Sequence, residues 1–141
     1  MKIENIISNK LWDTVESNYK SGKYANAITD AMLYLTNVLR EKSDLDTDGT
    51  KLVGSAFSKT NPKIKINRLE TETERNMQEG LSHILRGLYQ LIRNPRHHEK
   101  MEDTENEATQ IILFIDYILK IIEKSKSKYD VNELVALIFD E

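Results

Sequence analysis

Apolar residues recur every three to four positions along most of this chain, and only two prolines and five glycines interrupt its 141 residues. That pairing constrains the fold more than any other feature. The spacing gathers side chains on one face of a helix, and the scarcity of breakers leaves helices long. Ile3, Ile7, Leu11, Val15 and Tyr19, widened by Trp12, predict a helix over 3–19. Ser21-Gly22 closes it, since glycine accepts the left-handed conformation that ends helices. Ile28, Ala31, Leu35 and Val38 predict a second helix over 23–42, where Ala25, Ala27 and Ala31 permit close approach. Met77, Leu81, Ile84, Leu88 and Leu91 keep a heptad spacing through a third, over 70–92. Thr71 and Thr73 among glutamates suit its start, and Pro95 is expected to end or bend it. Ala108, Ile111, Ile115, Ile118 and Ile122 predict a fourth over 104–124. Its second apolar stripe, Phe114, Tyr117 and Ile121, calls for another burial partner such as a second subunit. Val131, Leu134, Val135 and Ile138 predict a last short helix over 130–139.

Between the second and third helices lies a long loop, about 43–69. Within it Asp48 is placed to cap a short helix carrying Leu52, Val53, Ala56 and Phe57, and Pro62 stops further helix. Lys63-Ile64-Lys65-Ile66 alternates, but four residues do not establish a strand. The expected architecture is all-α: one domain over 1–141, a bundle of four or five helices. Hydrophobic residues at 39% and charged ones at 30% fit a globular chain. No apolar run nears the roughly 20 residues that cross a bilayer, and no leader-like segment opens the chain, so the expected location is the cytoplasm. The absence of cysteine excludes disulfides, thiolate metal sites and a cysteine nucleophile. A net charge of −3 excludes an overall basic coat, so a nucleic-acid site must be a local patch.

Four segments carry candidate chemistry. Asp44-Leu45-Asp46-Thr47-Asp48-Gly49 imitates the first half of a calcium loop, but Ser55 stands where the bidentate glutamate is required. It reads better as an acidic turn capping the next helix, and no metal or cofactor is expected. His83, Arg86, Gln90 and Arg93 form a polar stripe down the third helix. Lys59, Lys63, Lys65 and Arg68 cluster in the long loop, and Lys120, Lys124, Lys126 and Lys128 near the C-terminus. Either group could track a phosphate backbone or be ordinary surface charge. The sharpest segment is Arg93-Asn94-Pro95-Arg96-His97-His98. Arginine offers a permanent cation with a planar fork matched to phosphate, and histidine exchanges protons near neutral pH. Together they suffice to cleave RNA through its own 2′-hydroxyl: a base, an acid, and a fixed charge on the phosphorane. One arginine and one histidine cannot fill every role, whereas two copies facing each other could. On spacing alone, the favoured reading is that these residues simply decorate a proline-terminated helix end, since Arg-x4-His is common by chance.

The segment from Gly80-Leu81 through Gly87-Leu88-Tyr89 to Ile92-Arg93-Asn94-Pro95-Arg96-His97-His98 resembles the HEPN superfamily, closest to its Ymh branch. Tyr24-Ala25-Asn26-Ala27-Ile28 fits as well, as does the glycine-leucine and alanine-phenylalanine pattern in the run 48–57, so the resemblance spans about 23–98. It implies a helical bundle, often a homodimer, in which the motif of each subunit lines a shared cleft. It also implies metal-independent endoribonuclease activity in toxin–antitoxin or phage-defence systems. By position it makes Arg93 the family's arginine, Asn94 its following polar residue and His98 its histidine. His97 has no counterpart and, with Arg96, Arg86 and His83, is at most auxiliary. The implied partners are RNA, a second copy, and an antitoxin or other defence protein. The competing expectation is a non-catalytic helical module that dimerises or docks on a protein, RNA or nucleotide.

Overall fold

The computed structural model describes residues 2–127. The helix expected over 130–139, and Lys128, lie outside the described residues. The rest is a bundle of helices: α1 (Asn9–Lys20), α2 (Tyr24–Ser43), α3 (Gly49–Ala56), α4 (Glu72–Gly87), α5 (Asn94–His98) and α6 (Glu105–Glu123). A π turn, Leu88–Arg93, joins α4 to α5, so 72–98 is one continuous rod and the bundle has five rods. None of the described helices is long and apolar enough to cross a membrane.

α2 is the central element. It buries Ala27, Ile28, Ala31, Met32, Leu35 and Leu39, and packs against α1 and α6. The first expected helix is shorter than its apolar pattern. Ile3–Asn5 is an isolated 3₁₀ turn, and α1 starts only after Ser8, whose side chain accepts a hydrogen bond from the Leu11 amide. The Ser8 amide, which a continuous helix would bond to Glu4, donates instead to the buried Asp116 of α6 at 3.0 Å. Lys120 Nζ neutralises the same carboxylate at 2.9 Å. The one charge interrupting the apolar run of α6 is therefore the fastener of the N-terminus.

The long loop is pinned rather than free. Ile64–Lys65 (β1) pairs antiparallel with Lys126–Ser127 (β2), with Ile64 opposite Ser127. Buried Gln78 of α4 donates from its amide to the Ile64 carbonyl at 2.7 Å and accepts from the Ile66 amide at 3.0 Å. A side-chain amide thus completes what a third strand would supply.

α4 opens with a reciprocal capping box between Thr71 and Glu74, as the threonines among glutamates predict. Its heptad seam is only half internal. Leu81 and Leu88 are buried, while Met77, Ile84 and Leu91 face outward, Leu91 being 73% exposed. Pro95 neither ends the rod nor leaves it regular. The Asn94 amide reaches back five residues to the Tyr89 carbonyl, and the chain stays helical through Pro95 to His98. A wider turn just before proline relieves the clash of its ring with the preceding turn. On α6 the buried positions are Ala108, Ile112, Ile115, Asp116, Ile118, Leu119 and Ile122, and Phe114 and Tyr117 stay exposed. Ile84, Leu88, Leu91, Ile92, Ile111 and Phe114 line an apolar groove between the two rods.

Candidate functional site around Arg93

The π turn sets the site. It buries Tyr89 completely, and Arg93, one turn on, lays its guanidinium over that ring at 4.8 Å from the centroid. Tyr89 is itself fixed: its hydroxyl shares a 2.7 Å hydrogen bond with Thr36 of α2, and burial raises its pKa. Arg93 Nε donates to Asn94 Oδ1 at 2.9 Å. Its two terminal nitrogens grip one carboxylate, Nη1 to Asp48 Oδ1 at 3.0 Å and Nη2 to Asp48 Oδ2 at 2.8 Å. The Arg93 side chain is 13% exposed, and that of Asp48, on the solvent side, is 49% exposed.

Asp48 occupies the N-cap position of α3 but makes no side-chain cap bond. The expected capping role is corrected: the carboxylate is drawn to Arg93 instead, and that charge-assisted bond holds its pKa below the ordinary 3.8. Arg40 of α2 stands behind it, Nη2 at 3.9 Å from Oδ1, while its Nε holds the Thr47 carbonyl at 3.0 Å. Gly49 follows, buried and at φ +62°, and a Cβ there would meet Arg93 Nη2 at 3.1 Å. Glycine is thus needed twice, for the backbone and for the space the guanidinium fills.

The remaining candidates divide between two places. His97 and His98 end α5, both exposed and without a hydrogen-bond partner among the described residues. At about 100° per residue, His97 follows Arg93 on the same side of the helix, and His98 is turned about 140° away. Arg96 is committed to the fold. It is 6% exposed, clamps the 2%-exposed Asp103 through Nε at 2.9 Å and Nη2 at 2.5 Å, and donates from Nη1 to the Ile92 carbonyl. That clamp ties the segment after α5 back to the rod. Upstream, His83 and Arg86 open into a separate depression shared with Lys59, Arg75 and Glu79. Arg86 has no ion pair or hydrogen bond among the described residues, while Lys59 and His83 face Glu79 at 3.3 and 3.8 Å. Arg68 is spanned by Glu70 and Glu74. Lys63 and Lys65 flank Ile64 where β1 meets β2. Of the four loop cations proposed to track RNA, two are therefore already paired with acids.

Among the described residues, no group of three or more histidine or acidic side chains converges as metal ligands would. Asp48, the third carboxylate of the calcium-like run, is bound to Arg93.

What the site can do follows from its parts: a cation held in a fixed plane at the protein surface, and imidazoles at the end of the same rod. The sequence reading missed Asp48, Arg40, Tyr89 and Thr36 as its supports. Only Tyr89 left a local signal, an aromatic four residues before the arginine. No curated protein and no solved structure matches the chain. A family model described as "Protein of unknown function (Hypoth_ymh)" matches residues 6–122, which run from before α1 to the penultimate residue of α6; the chain belongs to the Hypoth_Ymh family.

Proposed function

We propose that this protein is a metal-independent endoribonuclease of HEPN type, with Arg93 as phosphate-binding cation and His98 as the group that moves protons. The observation that carries this reading is the preorganisation of Arg93. A long, flexible side chain is held by a ring beneath it and an amide oxygen at its Nε, with its tip beside a half-exposed carboxylate. A fixed positive charge is worth most where negative charge develops in the transition state, because no reorganisation is needed during reaction.

The chemistry is transesterification. A base takes the proton from the ribose 2′-hydroxyl, and that oxygen attacks the adjacent phosphorus. The phosphorane's charge falls on Arg93, and the leaving 5′-oxygen takes a proton from an imidazolium. The products are a 2′,3′-cyclic phosphate and a free 5′-hydroxyl.

Base and acid must lie on opposite sides of the phosphorus, so a second imidazole is required. A homodimer supplies it. The apolar groove of Ile84, Leu88, Leu91, Ile92, Ile111 and Phe114 is the surface for a second copy, and Leu91 and Ile92 adjoin Arg93 in the same turn. In this reading His98, turned away from its own Arg93, serves the other subunit. An antitoxin or defence-system partner is the setting that the HEPN resemblance implies.

The test is incubation of purified protein with RNA in EDTA. Cleavage should persist, leave cyclic phosphate ends, and disappear in Arg93→Ala. Cleavage that stops in EDTA and leaves 5′-phosphates would refute the mechanism. A folded, dimeric protein that binds RNA without cutting it would favour the binding-module reading.

A further inference from the structure

Arg93 as folded is not open to a phosphodiester. A guanidinium offers two bidentate forks, one end-on between Nη1 and Nη2 and one side-on that includes Nε. Asp48 fills the first with both oxygens, and Asn94 Oδ1 takes the Nε–H of the second. A carboxylate and the two non-bridging oxygens of a phosphodiester match the same fork. Asp48 therefore sits where the proposed substrate's phosphate has to sit.

The pair is built to be opened. Asp48 is half exposed and lies on a connecting segment between Asp44 at φ +57° and Gly49 at φ +62°. Its Oδ1 already lies 3.9 Å from Arg40 Nη2, so a small swing hands the carboxylate from one arginine to another. Arg93, resting on Tyr89 and tied to Asn94, would keep its place when Asp48 leaves.

We infer that Asp48 is an intramolecular competitor for the phosphate-binding fork of Arg93, released toward Arg40 when a phosphodiester binds. This rests on the reading of Arg93 as a phosphate site, and it adds the state in which that site is closed. A competing internal group lowers apparent affinity by the fraction of molecules it occupies.

The probe is a fluorescent single-stranded DNA oligonucleotide, which carries phosphodiesters but no 2′-hydroxyl to react. Anisotropy at fixed salt would compare the wild type, Asp48→Asn, Arg93→Gln and the double variant. Asparagine keeps the shape of the side chain and remains a good residue for a helix start. Asp48→Asn should bind about fivefold more tightly, and Arg93→Gln should erase that gain in the double variant. Asp46→Asn, an equal change of charge on an exposed neighbour, should gain far less. The proposal is overturned if Asp48→Asn binds no tighter, if its gain survives Arg93→Gln, or if Asp46→Asn matches it. Should Asp48→Asn fail to fold, Asp48→Ser, which also starts helices well, is held to the same outcomes. Cleavage of RNA is scored separately. Tighter binding without cleavage would retire the ribonuclease reading and leave the competition standing.

Discussion

Arg93 and Arg96 are three residues apart on one rod, and each grips an aspartate through two nitrogens, yet the two pairs serve opposite ends. Asp103 is 2% exposed and Arg96 6%, so neither partner can leave without stranding a charge in the interior. Asp48 is 49% exposed, so water can replace Arg93 as its partner at little cost. Arg93 grips end-on, through Nη1 and Nη2, and Arg96 side-on, through Nε and Nη2, and both forks suit a carboxylate. The larger difference is the solvent on the carboxylate side, which leaves Asp48 free to exchange its partner and Asp103 not. Breaking a buried pair from one side costs about 3–5 kcal/mol, whereas exposed pairs contribute about 0–1 kcal/mol.

The largest effect expected is on stability. Asp103→Ala should lose about 3–5 kcal/mol in denaturant unfolding, while Asp48→Ala should stay within about 1 kcal/mol of the wild type. Comparable losses at both positions would erase the distinction between the pairs. The next effect is on rate, and it sharpens what the arginine with the exposed partner is for. His98→Ala should reduce cleavage about 10²–10⁴-fold, and His97→Ala should only weaken it. Equal losses would mean that the imidazole sharing the side of Arg93 works beside it, contrary to the crossed arrangement.

The helices were largely legible because their apolar spacing is a local property. The threonine caps, the glycine at position 22 and the two-faced α6 needed no knowledge of distant residues. The misreadings share one cause: a partner far along the chain. α1 starts after Ser8, whose amide donates a hydrogen bond to Asp116, 108 residues away. Asp48 looked like a helix cap because nothing in its neighbourhood reveals Arg93, 45 residues on. Arg96 looked like a site residue because position alone does not show that Asp103 will be buried beside it. The segment 93–98 itself stood out, but how its members divide between fold and chemistry depends on packing. The heptad seam shows the same limit, since spacing marks Met77, Ile84 and Leu91 as apolar without saying which surface covers them.

In the proposed reaction Arg93 works on a phosphorane formed by the RNA's own 2′-hydroxyl. The most direct test is single-turnover cleavage, in EDTA, of an RNA that carries one 2′-deoxy nucleotide at the scissile position. The account predicts that the wild type cuts the all-ribose strand and leaves the substituted one intact. It also predicts that Arg93→Lys cuts neither efficiently, because an ammonium is a point charge without the planar fork. Efficient cutting at the deoxy position, or an Arg93→Lys enzyme as fast as the wild type, would contradict it.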